Sequence, residues 1–303
     1  MATDTTTVEQ RTIAEQGADV ARRAAAIYGR LDRSAKVSLW IAVTIVVLAV
    51  AAPVIAPYGP AEPDYDASLS GPSADHPLGT DLTGRDILTR ILFGARVSLL
   101  VGVVAVGMAV AIGVPIGAVA GYVGGWIDET LMRLMDIMMS FPSLVLALAL
   151  VGALGPNLRN VILVIGIVYT PQYARLIRGS VLSVKEEEYV EAAENTGLGD
   201  VRILFKHVIP NAYTPVLVQG TFHVATAIIF EASLSFLGLG VQPPTATWGV
   251  MIADGRAYLP QEWWISTFPG LAIMITVVAF NLLGDGLRDE LDPRSATQGG
   301  PGA

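Results

Sequence analysis

The chain has 303 residues, 52% of them hydrophobic and only 15% charged, with a formal net charge of −8 and a mean hydropathy of +0.55. A soluble domain carries about 25% charged residues, so this is the composition of a membrane protein, and its acidity speaks against nucleic acid, whose binding depends on neutralising phosphates with Lys and Arg. Cysteine is absent, which excludes a disulfide framework, a thiolate nucleophile and a Cys-ligated zinc site, and three histidines (His76, His207, His223) supply little for a histidine-based metal centre.

Residues 1–36 are polar and small-residue-rich and are expected to form a loosely ordered N-terminal segment. The first uncharged run, from Val37 to Ala61 with its apolar heart at Leu39–Val54, reads as a retained membrane anchor. It exceeds a usual signal-peptide core, and the stretch ahead of it is too long for a signal n-region. Further runs follow at Val97–Ile127, Ile137–Leu158, a shorter one between Arg159 and Arg175 that contains Pro171, Val216–Leu237, and Trp264–Leu283. A membrane-spanning helix needs about 20 apolar residues, and amides in lipid must be satisfied internally, so six transmembrane helices and an all-α polytopic protein are expected. Residues 37–96 then hold the first helix and an outer loop, 97–287 a five-helix core, and 288–303 a tail.

Lys/Arg bias sets the orientation. With the N-terminus inside, fourteen bases fall in cytoplasmic segments and five outside, so both termini and the polar stretch from Lys185 to Ala212 face the cytoplasm. In that stretch Ser183 and Glu186 are spaced as a capping box, and Tyr189, Ala192, Ala193 and Thr196 fall at helical spacing. Gly197 and Gly199 supply a turn. Asp200 is expected to cap a second short helix with Val201, Leu204, Phe205 and Val208 on one face, stopped by Pro210. Two amphipathic helices joined by a glycine turn suit either a docking element for another protein or a loop folded back on its own bundle.

Within the spans, His223 and Glu231 lie eight residues apart on one helix face and are candidates for lining a pathway, with helix packing as the alternative. Asp136 and Arg133 are spaced as a local ion pair. Pro142 and Pro171 are expected to kink their spans, and Gly113, Gly117 and Gly121 to let two helices approach closely. Trp263 and Trp264 sit where an interfacial belt is expected. No G-x-x-x-x-G-K-[ST], H-E-x-x-H or G-x-S-x-G occurs, so the sequence offers no phosphate-binding loop, zinc-protease helix or nucleophile elbow. An ion-coupled secondary transporter is the rival class, although few buried carboxylates are available for it.

"EAAENTG" followed by "HVIPN" resembles the EAA loop of ATP-binding-cassette importer permeases, with Glu191, Ala192, Ala193 and Gly197 at matching positions. His207 and Ile209 depart from the general pattern, and His207 resembles the dipeptide/oligopeptide/nickel branch. "HPLGTDLTGRDILTRILFGARVSL" and the stretch from "EASLSFLGLG" to "NLLGDGLRDELDPR" are similar to C-type subunits of that branch, so the resemblance runs from about Val37 to Arg294. The resemblance implies a type I importer permease with no catalytic residue and no bound cofactor or metal. ATP and Mg would be used by two separate cytoplasmic ATPases, and a second related permease and an extracellular solute-binding protein would complete the assembly. The loop at about 183–210 would be the ATPase-coupling element, and peptides or a related small solute the cargo.

Overall fold

A computed structural model describes residues 28–29 and 31–291. The expectations for residues 1–27 and for the tail beyond Leu291 lie outside the described residues.

Helix α1 (Arg33–Ile55) starts at Asp32, whose carboxylate accepts from the backbone N–H of Ser34 and Ala35 at 3.2 and 2.9 Å. Residues 56–86 form an irregular segment with one short 3-10 turn, Tyr65–Ala67. Helix α2 (Ile87–Val123) begins at Ile87 and not at Val97, as the uncharged run had suggested. Asp86 caps it, accepting from Thr89 N–H at 2.7 Å, and its extra turns carry Arg90, 2% exposed because Asp81 lies 3.5 Å away. A charge with a buried partner does not end a helix, although it ends a run of hydropathy.

The third span is broken. Helix α3 (Gly125–Met139) and helix α4 (Ser143–Leu154) meet at 87° across Ser140–Pro142. Pro142 has no N–H to continue the ladder and its ring disfavours helical geometry at the preceding Phe141, so the kink expected at Pro142 is a full corner. Helix α5 (Leu158–Val184) is capped by Asn157 and runs straight through the expected limit at Arg175, with Pro171 buried inside it. Its length is explained by charge pairing: Arg178 holds Asp128 of α3 at 2.5 and 2.6 Å, and Arg175 holds Asp136. The expected Asp136–Arg133 pair is therefore replaced, Arg133 pairing with Glu129 at 3.6 Å one turn back.

Helices α2 and α5 run in the same direction and touch through the glycine series. A Cβ on Gly117 would stand 1.9 Å from the Ala174 carbonyl oxygen, and one on Gly113 2.6 Å from that of Thr170. Only glycine permits this approach. The polar loop follows as helix α6 (Glu188–Asn195), helix α7 (Asp200–Ile203), a wide π turn (Leu204–Val208) and helix α8 (Ile209–Ala212). Helix α9 (Thr214–Phe236) returns across the bundle, the short helix α10 (Trp248–Gly255) packs at its far end, and helix α11 (Trp264–Leu291) closes the fold. Five of these helices are long and apolar enough to cross a membrane, and the bent α3/α4 pair brings the number to six when it is counted as one broken span.

Candidate functional site

The loop from Lys185 to Tyr213 opens at the shared end of α5 and α9. Ser183 does not start it. Its hydroxyl donates to Gly179 O at 3.4 Å inside the last turn of α5, and α6 begins at Glu188 after Glu187. The capping-box spacing misled because α5 had not yet ended. Helix α6 ends as expected of its glycine: Gly197 has φ +79°, with Gly197 N–H bonded to Glu194 O at 2.9 Å and Leu198 N–H to Ala193 O at 3.4 Å. An L-residue pays for that left-handed conformation and glycine does not. Gly199, in ordinary extended geometry at φ −73°, takes the cap of α7, which makes Asp200 its first helical residue.

Pro210 does not stop the second helix either. Its missing N–H removes one α-helical bond, and the chain widens ahead of it into the π turn, with Ile209 N–H reaching back to Leu204 O and the Asn211 side chain capping His207 O at 2.6 Å. Helical rotation continues through Ala212 into α9.

The two helices divide their apolar residues between two faces. Val190, Ala193, Ile203, Leu204 and Val208 are buried in the main core, and Leu198 packs against it. Tyr189, Ala192 and Thr196, expected on one stripe with Ala193, point the other way with Glu191, Gly197 and Pro210. On that exposed side Val201 is 72%, Phe205 65% and Tyr189 44% exposed, and His207 is half-buried. The loop is thus anchored by one face and presents a second, mixed apolar and acidic face.

His223 and Glu231 are both enclosed in α9. His223 stacks on Tyr169 at 4.7 Å between centroids, meets Tyr173 edge-on at 5.0 Å and reaches the Gln219 amide at 2.8 Å. Glu231 has no exposed surface; its Oε1 accepts from Ser235 Oγ at 2.7 Å and Thr247 Oγ1 at 3.0 Å. Sequence reasoning had passed over Thr247, yet a threonine directly ahead of the apolar "WGVMIADG" is a helix-start signal. Thr247 caps α10, accepting from Val250 N–H at 3.1 Å.

At that same end the segment 56–86 is locked by polar contacts. His76 Nδ1 meets Asp86 at 3.0 Å, Asp81 holds Arg85 at 2.7 Å, and Trp264 Nε1 donates to Thr80 O at 3.1 Å. Trp248 is buried, with its indole donating to Ile91 O at 3.1 Å. Burial pushes the Asp254 carboxyl above its ordinary value despite Arg90 and Arg85 beside it. None of these groups forms a nucleophile–base pair, and the loop joins α5 to α9 through a run of short helices.

Two families match the chain: "Binding-protein-dependent transport system inner membrane component" over residues 113–297, and "N-terminal TM domain of oligopeptide transport permease C" over residues 30–72. The chain is a member of these inner-membrane transport permeases. Among its relatives, the dipeptide transport system permease protein DppC of Escherichia coli K12 is 48% identical over 273 residues, covering 88% of this chain and 91% of that protein. The DppC of Alkalihalophilus pseudofirmus is 46% identical over 263 residues, covering 87% and 86%. The fold is similar to the MetNI methionine ABC transporter in an inward-facing conformation, with a TM-score of 0.56 at 17% identity, covering 67% of this chain and 97% of that one. As an ATP-binding-cassette importer permease of the oligopeptide/dipeptide C type, the chain is a multi-pass inner-membrane transport subunit and not itself an ATPase, and its family works with ATPase and binding-protein subunits.

Proposed function

We propose that this permease forms one half of a peptide-import pathway, paired with a second homologous permease, two cytoplasmic ATPases that use ATP and Mg, and an extracellular solute-binding protein. Both termini and the loop at 183–210 face the cytoplasm in this reading, as the Lys/Arg bias requires. The peptide cargo is supported by relatives that are 43 to 48% identical and named as dipeptide or peptide permeases.

The observation that carries the mechanism is the exposed face of the loop. Phe205, Val201 and Tyr189 stand out of a segment whose own core residues are already buried, and exposed aromatics on a rigid, doubly anchored element are the composition of a docking surface. Glu191, Ala192, Ala193, Gly197, Leu204, His207 and Pro210 then build or border the element: Ala193 and Leu204 root it, Gly197 sets the angle between its helices, and His207 and Pro210 form the turn into α9. ATP binding and hydrolysis below move this loop, and alternating access follows as α9 moves with it. His223 and Glu231 serve the pathway from behind its surface by fixing α9 to its neighbours.

Reconstituted with its partner subunits in vesicles, the permease should take up a labelled dipeptide only with internal ATP. Uptake driven by an ion gradient with the ATPases absent would overturn the reading.

A further inference from the structure

We infer that Glu231 is a positioning residue that rivets α10 to α9, so that movement of the loop is delivered through α9 to the opposite end of the bundle. This rests on the reading of the loop as the ATPase contact. Helix α9 starts two residues after α8 and spans 23 residues, about 35 Å at the α-helical rise. Its far end carries Glu231, Ala232 and Ser235, and α10 is fastened to those three residues.

One carboxylate oxygen, Oε1, accepts both the Ser235 and the Thr247 hydroxyls, and the Thr247 hydroxyl in turn caps α10. The first turn of α10 is in close contact with the last turn of α9 as well: a Cβ on Gly249 would stand 2.5 Å from Ala232 Cα and 3.1 Å from Ser235 Cβ. On its other side α10 meets the start of α2, where Trp248 N–H donates to Ser98 Oγ at 3.3 Å and Gly94 leaves room for the indole. The contact between α9 and α10 is therefore close-packed around one buried polar hub, and such a hub is costly to disturb because each hydroxyl left without its acceptor remains buried. A short helix held this way moves with α9 as one body.

The test is the ratio of dipeptide molecules taken up to ATP molecules hydrolysed in the reconstituted importer. Glu231→Leu removes the acceptor at similar volume and should lower that ratio about tenfold while ligand-stimulated hydrolysis persists, because the loop still engages the ATPase but the far end no longer follows. Glu231→Gln keeps Oε1 as acceptor and should stay within about twofold of the parent. Thr247→Val should reproduce the loss and Thr247→Ser should not, which decides the matter if Glu231→Leu fails to assemble. An unchanged ratio in Thr247→Val overturns the inference. So does a Glu231→Gln variant as impaired as Glu231→Leu, which would show that the charge itself is needed. Failure of the underlying ATPase reading looks different, since the parent protein would then show no ATP-dependent uptake to compare.

Discussion

The two ends of the bundle use polar and apolar residues in opposite ways. Where residues 56–86 meet α10 and the start of α2, His76, Asp81, Asp86 and Arg90 are taken inside and paired. At the loop end, Val201 and Phe205 are turned out while Glu188, Glu191 and Glu194 stay in solvent around them. Charges buried in pairs fix a geometry, because each partner becomes intolerable without the other. Apolar side chains left outside a finished core reserve a surface for a second molecule. One end of this permease is therefore fixed by buried pairs, and the other presents the face proposed above as the ATPase contact.

The largest test of that contrast is at Arg90. Arg90→Ala removes a buried guanidinium from beside Asp81 and Asp254, leaving them Arg85 at 2.7 and 3.9 Å, and should cost about 3 kcal/mol, read as a lowered unfolding midpoint and a smaller monodisperse fraction of the purified importer. Arg133→Ala breaks a pair whose side chains are 71% and 75% exposed, and should cost less than about 1 kcal/mol. Equal losses would mean that burial does not distinguish the two pairs.

Phe205→Asp tests the other end. With the side chain 65% exposed, the change should leave the unfolding midpoint within about 0.5 kcal/mol of the parent while costing about 2 kcal/mol or more of ATPase affinity. Loss of the ATPases on co-purification with an unchanged midpoint is the expected result. Co-purification that survives would leave the exposed face without the occupant proposed for it.

Much of this was legible in the sequence, and what was not follows a pattern. Hydropathy located every span, and the glycine series in α2 was readable because small residues at four-residue spacing have few other uses in lipid. Two boundaries were misplaced for one shared reason: Arg90 and Arg175 lay outside the uncharged runs, yet Arg90 meets Asp254 of α10 at 4.0 Å and Arg175 pairs with Asp136 of α3, each a carboxylate distant in sequence. Residue spacing does not reveal a partner on another helix. In the loop, Gly197 was legible because a positive φ is a local demand, whereas the division of Val190 and Ala193 from Tyr189 and Ala192 depends on where the bundle lies. The hub at Glu231 was half-visible: the acid stood out in an apolar run, but its partner Thr247 lies across a loop containing two consecutive prolines.

A finer comparison separates the loop's two glycines. Gly197→Ala must place a Cβ at φ +79°, whereas Gly199→Ala meets φ −73°, with nothing within 4 Å of either added carbon. The first should cost about 1 kcal/mol and weaken coupling through a changed angle between α6 and α7. The second should be close to neutral. If both are neutral, the turn does not set the angle.

The smallest expected effect lies at Asp254, where the locked end still meets solvent. Burial raises its carboxyl above the ordinary 3.8, with Arg90 and Arg85 pulling the other way and Asp81 adding to the rise. A folded-state pKa above the unfolded one means that the native form binds the proton more tightly. The contribution of Asp254 to stability is then fully present below the ordinary carboxylate value and declines as pH rises through the raised folded value. Asp254→Asn cannot titrate, so the stability of the parent relative to this variant should fall with rising pH across that window and be flat above it. A difference that instead grows with pH would show the two arginines outweighing burial, and the locked end of the bundle would be wetter than its geometry implies.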